Sequence, residues 1–229
     1  MANIISKKVE EKYKNFLVFF SDPIIIGICQ ANPLAAGIAA YIGGSYQQEQ
    51  FKTLERFIHL LDEKVRKIEE KYIDKDFVGS LDGQRIIGKV FKGILRDNRQ
   101  EKLQAMANLT ANIYTVYTHP KLTIDERELY VEILDGLNSL QLSIIQKAMI
   151  EIKSRTGDQH RGFGWEALGE HFERKGITRA ILLQSISVLE SNGLVNKNTA
   201  TAVEIDKTHY ITVFGEQFYA FINEVKKIK

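Results

Sequence analysis

The chain has 229 residues, 44% of them apolar, and a formal charge of +2 from 31 basic against 29 acidic residues. That is enough apolar material for one large core or two small ones, and it excludes a global basic excess of the kind that marks nucleic-acid binders. The single cysteine, Cys29, excludes an internal disulfide, argues against a cysteine-ligated zinc site and fits a reducing, cytoplasmic setting.

Taken in chain order, residues 4–20 predict a short amphipathic helix, with Val9, Tyr13, Phe16, Leu17 and Phe20 at helical spacing. Glu10 and Glu11 among lysines, with only the short apolar run FLVFF, do not match a secretory signal. "SDP" at 21–23 breaks the helix, and from Pro23 to Gln48 no residue is charged. This stretch admits two readings. In the first it is a tightly packed buried segment, with small residues Ala36, Ala40 and Gly44 along one face. In the second it is a membrane-seeking hairpin, divided by Gln30, Asn32 and Pro33, and the protein is membrane-associated through 23–48.

Phe51, Leu54, Ile58, Leu61, Val65, Ile68 and Tyr72 then alternate spacings of three and four, the a and d positions of a heptad helix across 51–72. Glu55, Asp62 and Glu69 at e and Lys64 and Lys71 at g suit a coiled-coil homodimer through 51–72. Phe57 and Leu60 widen the apolar stripe in the manner of a bundle helix. "DKDFVGSLDGQR", residues 74–85, has the aspartate spacing of a calcium loop. It places Val78 and Arg85 where oxygen ligands are required, so a turn and no metal are expected.

The next helix is the most asymmetric. Arg85, Lys89, Lys92, Arg96 and Arg99 step by fours and threes and form one basic stripe, with Ile86, Ile87, Val90, Phe91, Ile94 and Leu95 opposite. At about 1.5 Å per residue the stripe could follow several phosphates, anionic headgroups or the acids of a partner protein. A further helix is expected to end near Pro120. Another starts at a capping box, Thr123 with Glu126, and Ser139 is expected to cap one more. Asp125, Glu126, Glu128 and Glu132 are expected on a solvated face, where first-turn acids favour the helix dipole. "RTGDQHRGFG", residues 155–164, reads as a linker.

From Gly164 the order is helix, turn, helix, strand, polar connection, strand, helix. "GITRAILLQSISVLESNGLVNK" supplies a Thr178 N-cap, inward Ile181, Leu182, Ser185, Val188 and Leu189, and a terminal Gly193. This order resembles the winged-helix family over Gly164 to Lys229, and "VLESNGLV" is similar to the exit of its recognition helix. The resemblance implies a DNA- or protein-facing second helix with Thr178, Arg179, Gln184, Ser187 and Glu190 outward, and Lys197, Lys207 and His209 near the wing. Arg179 and Gln184 are the side chains suited to base edges. Eight basic residues against eight acidic ones across this region leave no electrostatic footprint, which favours a protein partner over DNA. The apolar stretch leading into "QEQFKTLERFIHLLDEKVRKIEEK", with the short helices after it, looks like the Abi-alpha family of bacterial helical proteins. That likeness implies a role in phage defence.

The expected protein is therefore mainly α. It has an N-terminal helix and charge-free segment (1–48), a helical bundle (49–154), a linker (155–163) and a C-terminal winged-helix domain (164–229). There is no HExxH, Walker A, GxGxxG or GxSxG motif, and the five histidines show no metal-ligand spacing and are expected at the surface. No catalysis and no cofactor are expected. The leading functional expectation is an adaptor of bacterial type that binds a macromolecular partner through the winged helix and the basic stripe. Its alternatives are a membrane-associated abortive-infection effector and a dimeric DNA-binding transcriptional regulator.

Overall fold

The structure is a computed structural model that describes residues 45–115, 122–154, 162–197 and 208–225. These described residues divide into two compact units: those up to Asp135 together with those from Phe221 onward, and those between Gly136 and Ala220. The helix expected at 4–20 and the charge-free stretch up to residue 44 lie outside the described residues.

The first unit is a helical bundle of α1 (Ser45–Val65), a 3-10 turn (Glu70–Tyr72), α2 (Lys75–Gly79), α3 (Leu81–Arg96), α4 (Gln100–Ile113) and α5 (Ile124–Gly136). Helix α1 packs on α3 and α4. Its heptad positions Leu54, Ile58, Leu61 and Val65 are buried there with Phe57, whose ring meets Phe91 edge-on at 6.1 Å. That burial corrects the expected homodimer through 51–72, because the apolar seam is consumed within the chain. The helix also stops at Val65, and tighter turns carry Ile68 into the core.

Membrane association, expected both as a partner and as a location, is likewise corrected. Among the described residues no helix is long and apolar enough to cross a membrane. The part of 23–48 that is described, residues 45–48, opens α1, which carries charged residues from Glu49 onward.

The turn expected over 74–85 is a short helix framed by two caps. Asp74 Oδ1 accepts from Phe77 N–H at 3.1 Å to start α2, and Ser80 Oγ accepts from Gly83 N–H at 3.0 Å to start α3. The approach of these helices is close enough to require glycine. A Cβ on Gly83 would stand 2.1 Å from the Phe77 carbonyl oxygen, and Tyr114 donates its hydroxyl to the Gly83 carbonyl at 2.6 Å.

Helix α4 is buried from Lys102 to Ile113 with the sole exception of Gln104, and most of its polar side chains find partners inside, the Thr110 hydroxyl excepted. Asn108 donates to the carbonyls of Ile222 at 3.0 Å and Asn223 at 2.9 Å. Asn112 donates to those of Phe221 and Glu224, both at 2.9 Å. One turn apart on α4, the two amides thus satisfy carbonyls at the end of the last helix, α9 (Val213–Asn223), whose Phe221 ring meets Tyr130 edge-on at 5.1 Å. The Lys102 ammonium donates to the Leu134 carbonyl and, at 3.1 Å, to that of Asp135, where α5 ends.

The second unit contains α6 (Ser139–Ser154), β1 (Gly162–Gly164), α7 (Trp165–Glu173), α8 (Arg179–Ser191), β2 (Val195–Lys197), β3 (Thr208–Ile211) and the start of α9. The strands form one antiparallel sheet in the order β1-β3-β2, with His209 between Phe163 and Lys197. Helix α6 packs on α7, α8 and β1. Its cap is Asn138 rather than Ser139: Asn138 Oδ1 accepts from Gln141 N–H at 3.0 Å, and Gln141 Oε1 accepts from Asn138 N–H at 2.7 Å. The general shape is winged-helix-like. Gly162 and Phe163, read in the sequence as the end of the linker, are strand residues.

Helices α7 and α8 end alike. At Gly176 (φ 80°) and Gly193 (φ 69°) the chain enters the left-handed region, with N–H bonds back to Glu173 and Glu190. The next residues, Ile177 and Leu194, bond back to Phe172 and Leu189. Both are Schellman closures.

Two outcomes test this packing. Gly83→Ala is expected to lower stability by about 1–3 kcal/mol in urea unfolding, since the neighbouring atom is backbone. Burial pushes the Lys102 amine down from 10.5 to about 8, against the pull of Asp97 and Asp135. The folded state then binds fewer protons than the unfolded state between those values, so this group's contribution to stability rises with pH across that window. Stability measured against pH should show the rise in the wild type and lose it in Lys102→Met.

Candidate interaction surface

Two surfaces hold the residues singled out in the sequence. The first is the basic stripe of α3, which the structure brings alongside acids of α5. Arg85 pairs with Glu128 at 2.9 Å and Asp82 at 3.1 Å, Lys89 with both Glu128 and Glu132, and Arg96 with Asp135 at 2.6 Å. The partners advance together along both helices, so α3 and α5 run parallel at this seam. Arg99, expected on the same stripe, lies beyond the end of α3 at the N-cap position of α4, because α3 stops at Arg96, and it closes on Asp97, its Nε donating at 2.7 Å. Hydrogen bonding to Lys89, with the charges of Lys89 and Arg85, holds the Glu128 carboxyl below the ordinary range, and the hydrogen bonds of Lys89 to Glu128 and Glu132 raise the Lys89 amine. Lys92 is exposed between these pairs. Each cation but Lys92 therefore faces an acid of the same unit, and Glu128 and Glu132 form part of a ladder instead of a solvated face.

The second surface is the outer side of α8. Thr178 caps its start, accepting from Ile181 N–H at 3.5 Å, and Leu182, Ser185, Ile186 and Leu189 are buried beneath it. Arg179, Ala180, Leu183, Gln184, Ser187 and Ser191 are exposed. Two large apolar side chains stand in solvent here, Ile181 at 51% and Leu183 at 46% exposure. Ile181 is thus not among the inward residues, because four buried positions already fill that side. Leu183 is not singled out by the sequence, although "AILL" holds more consecutive apolar residues than one helix face can bury.

Lys197 is exposed at the end of β2, and Lys207 lies outside the described residues. His209, expected near the wing surface, is buried in β3 with Nε2 at 3.4 Å from Glu190 Oε1. Burial lowers its pKa, Glu190 opposes that shift and Lys197 adds to it. His119 and His160 lie outside the described residues. Among the described residues no group of three or more His, Cys, Asp or Glu side chains could hold a metal ion.

A scan against protein-family models, a search of curated proteins and a search of solved structures each found no match. The likeness of the helical region to Abi-alpha proteins therefore rests on the quoted residues alone.

The ladder has a measurable signature. Arg85 and Arg96 remain 51% and 65% exposed, so water competes for the pairs although Glu128 itself is 18% exposed, and Glu128→Gln is expected to cost about 1 kcal/mol in urea unfolding at low salt. Added salt should shrink that difference, as it does for exposed pairs.

Proposed function

We propose that this is a non-enzymatic adaptor whose winged-helix-like unit engages another protein through the outward face of α8. The observation that carries this reading is the exposure of Ile181 and Leu183 on a helix whose outward face has one cation, Arg179. Exposed apolar side chains rimmed by small polar ones suit a protein partner. Phosphate binding needs a concentration of unneutralised cations. The compensated stripe on α3 adds no such concentration, which moves the expected contact from the stripe to α8. The resemblance to Abi-alpha proteins suggests bacterial phage defence as the setting.

Two measurements test the reading. A photo-crosslinking amino acid at Leu183 should yield a discrete protein adduct in cells, and Ile181→Glu should abolish it while circular dichroism stays unchanged. Fluorescence anisotropy with duplex DNA should show no salt-sensitive binding. Salt-sensitive binding lost on Arg179→Ala would overturn the protein-facing reading in favour of a DNA-binding regulator.

A further inference from the structure

The outward face of α8 is complementary to itself. At about 100° per residue, Arg179, Leu183 and Glu190 fall along one edge of the helix, and Ala180, Gln184, Ser187 and Ser191 along its centre. The central residues are small apart from Gln184, which lets another helix approach closely. The two charges differ in sign and lie at opposite ends of the helix, about 16 Å apart at 1.5 Å per residue. Glu190 pairs with His209 behind it, yet its side chain remains 31% exposed.

When two such helices pack antiparallel about a two-fold axis, the axis keeps like edges together and reverses their direction. Arg179 of one copy then comes beside Glu190 of the other, twice by symmetry, and the two Leu183 side chains meet near the axis. A parallel two-fold pair would carry the two Arg179–Glu190 edges to opposite sides of the seam, where each faces the edge that bears Ile181 and no bridge can close. The antiparallel arrangement also opposes the two helix dipoles favourably.

We propose that the partner of α8 is a second copy of this chain, in an antiparallel α8–α8 pair closed by two Arg179–Glu190 bridges. This rests on the reading of α8 as a protein-docking face, and it uses a surface distinct from the buried heptad seam of α1. Two helices of this length bury less than the roughly 1,600 Å² of a standard interface, so the pair is weak, with a Kd of roughly 10–100 µM.

Sedimentation equilibrium of the full chain across that range should show reversible dimerisation. Arg179→Glu and Glu190→Arg should each weaken it at least about tenfold, since each sets like charges together at both ends. Mixed in equal amounts, the two variants should regain it as a heterodimer. The introduced acid of one chain then faces the introduced base of the other, while the native Glu190 of the first faces the native Arg179 of the second. Loss of a merely structural contact would not be rescued in this way, and far-UV circular dichroism verifies that each variant is folded. A wild type that stays monomeric, a dimer indifferent to both reversals, or a mixture that fails to recover would each overturn the proposal. Should the Leu183 crosslinker capture a different protein while the chain stays monomeric, the docking face stands and self-pairing falls. With neither adduct nor dimer, both fall.

Discussion

A helix with no exposed side must find internal partners for the polar groups it carries into the core. Helix α4 is in that position, and the first unit is arranged around the solution. Its apolar residues take the pressure of α1 and α3, while Lys102, Asn108 and Asn112 each reach for main-chain oxygens where another helix ends. Carbonyls at a helix end lack intrahelical donors and would be costly to bury bare. The central helix and the ends of α5 and α9 thus solve each other's problem: one brings buried donors, the others bring buried acceptors. Replacing α4 by a more hydrophobic helix would improve its own burial and leave the neighbouring ends unsatisfied.

Charge follows a similar logic at the surface. The stripe on α3 has the composition of an anion-binding face, yet α5 supplies acids in the same order along the chain, and the pair settles as a ladder. Each rung is weak because water competes for it. Together they tie two parallel helices side by side, with Lys89 bridging acids one turn apart on α5. The effect on function is subtraction: a surface that looks cationic one helix at a time is nearly neutral once both are in place.

How much of this can be read from the sequence depends on how local each signal is. The capping box of Thr123 and Glu126 spans four residues and forms as expected, with Glu126 N–H on the Thr123 hydroxyl at 3.2 Å. The closure at Gly193 is equally legible, since a glycine after an apolar-periodic run has few other uses. Heptad spacing correctly indicates a helix at α1 but carries no information about whether its apolar edge meets a partner or the rest of the chain. Signals that join distant residues are out of reach. Arg85 and Glu128 are 43 positions apart, and nothing near either one points to the other. Strand β1 is three residues long, two of them glycine, and is a strand only because β3 pairs with it. The cap of α6 differs from expectation by a single position, Asn138 in place of Ser139, a distinction that turns on Gln141 reaching back as the reciprocal partner. On α8 the outward positions of Arg179 and Gln184 follow from periodicity, whereas the exposure of Ile181 depends on which four residues the core can accept.

The way α8 is fastened has an evolutionary consequence. A hydroxyl cap fixes its start, a left-handed glycine fixes its end, and four buried side chains fix its rotation. None of these anchors lies on its central outward stripe, so most substitutions there change what the helix displays without changing where it sits. Such an arrangement separates the residues under selection for folding from those free to follow a changing partner. Divergent copies of this unit would be expected to preserve Thr178, Gly193 and the inner quartet while Ala180, Leu183, Gln184 and Ser187 drift together.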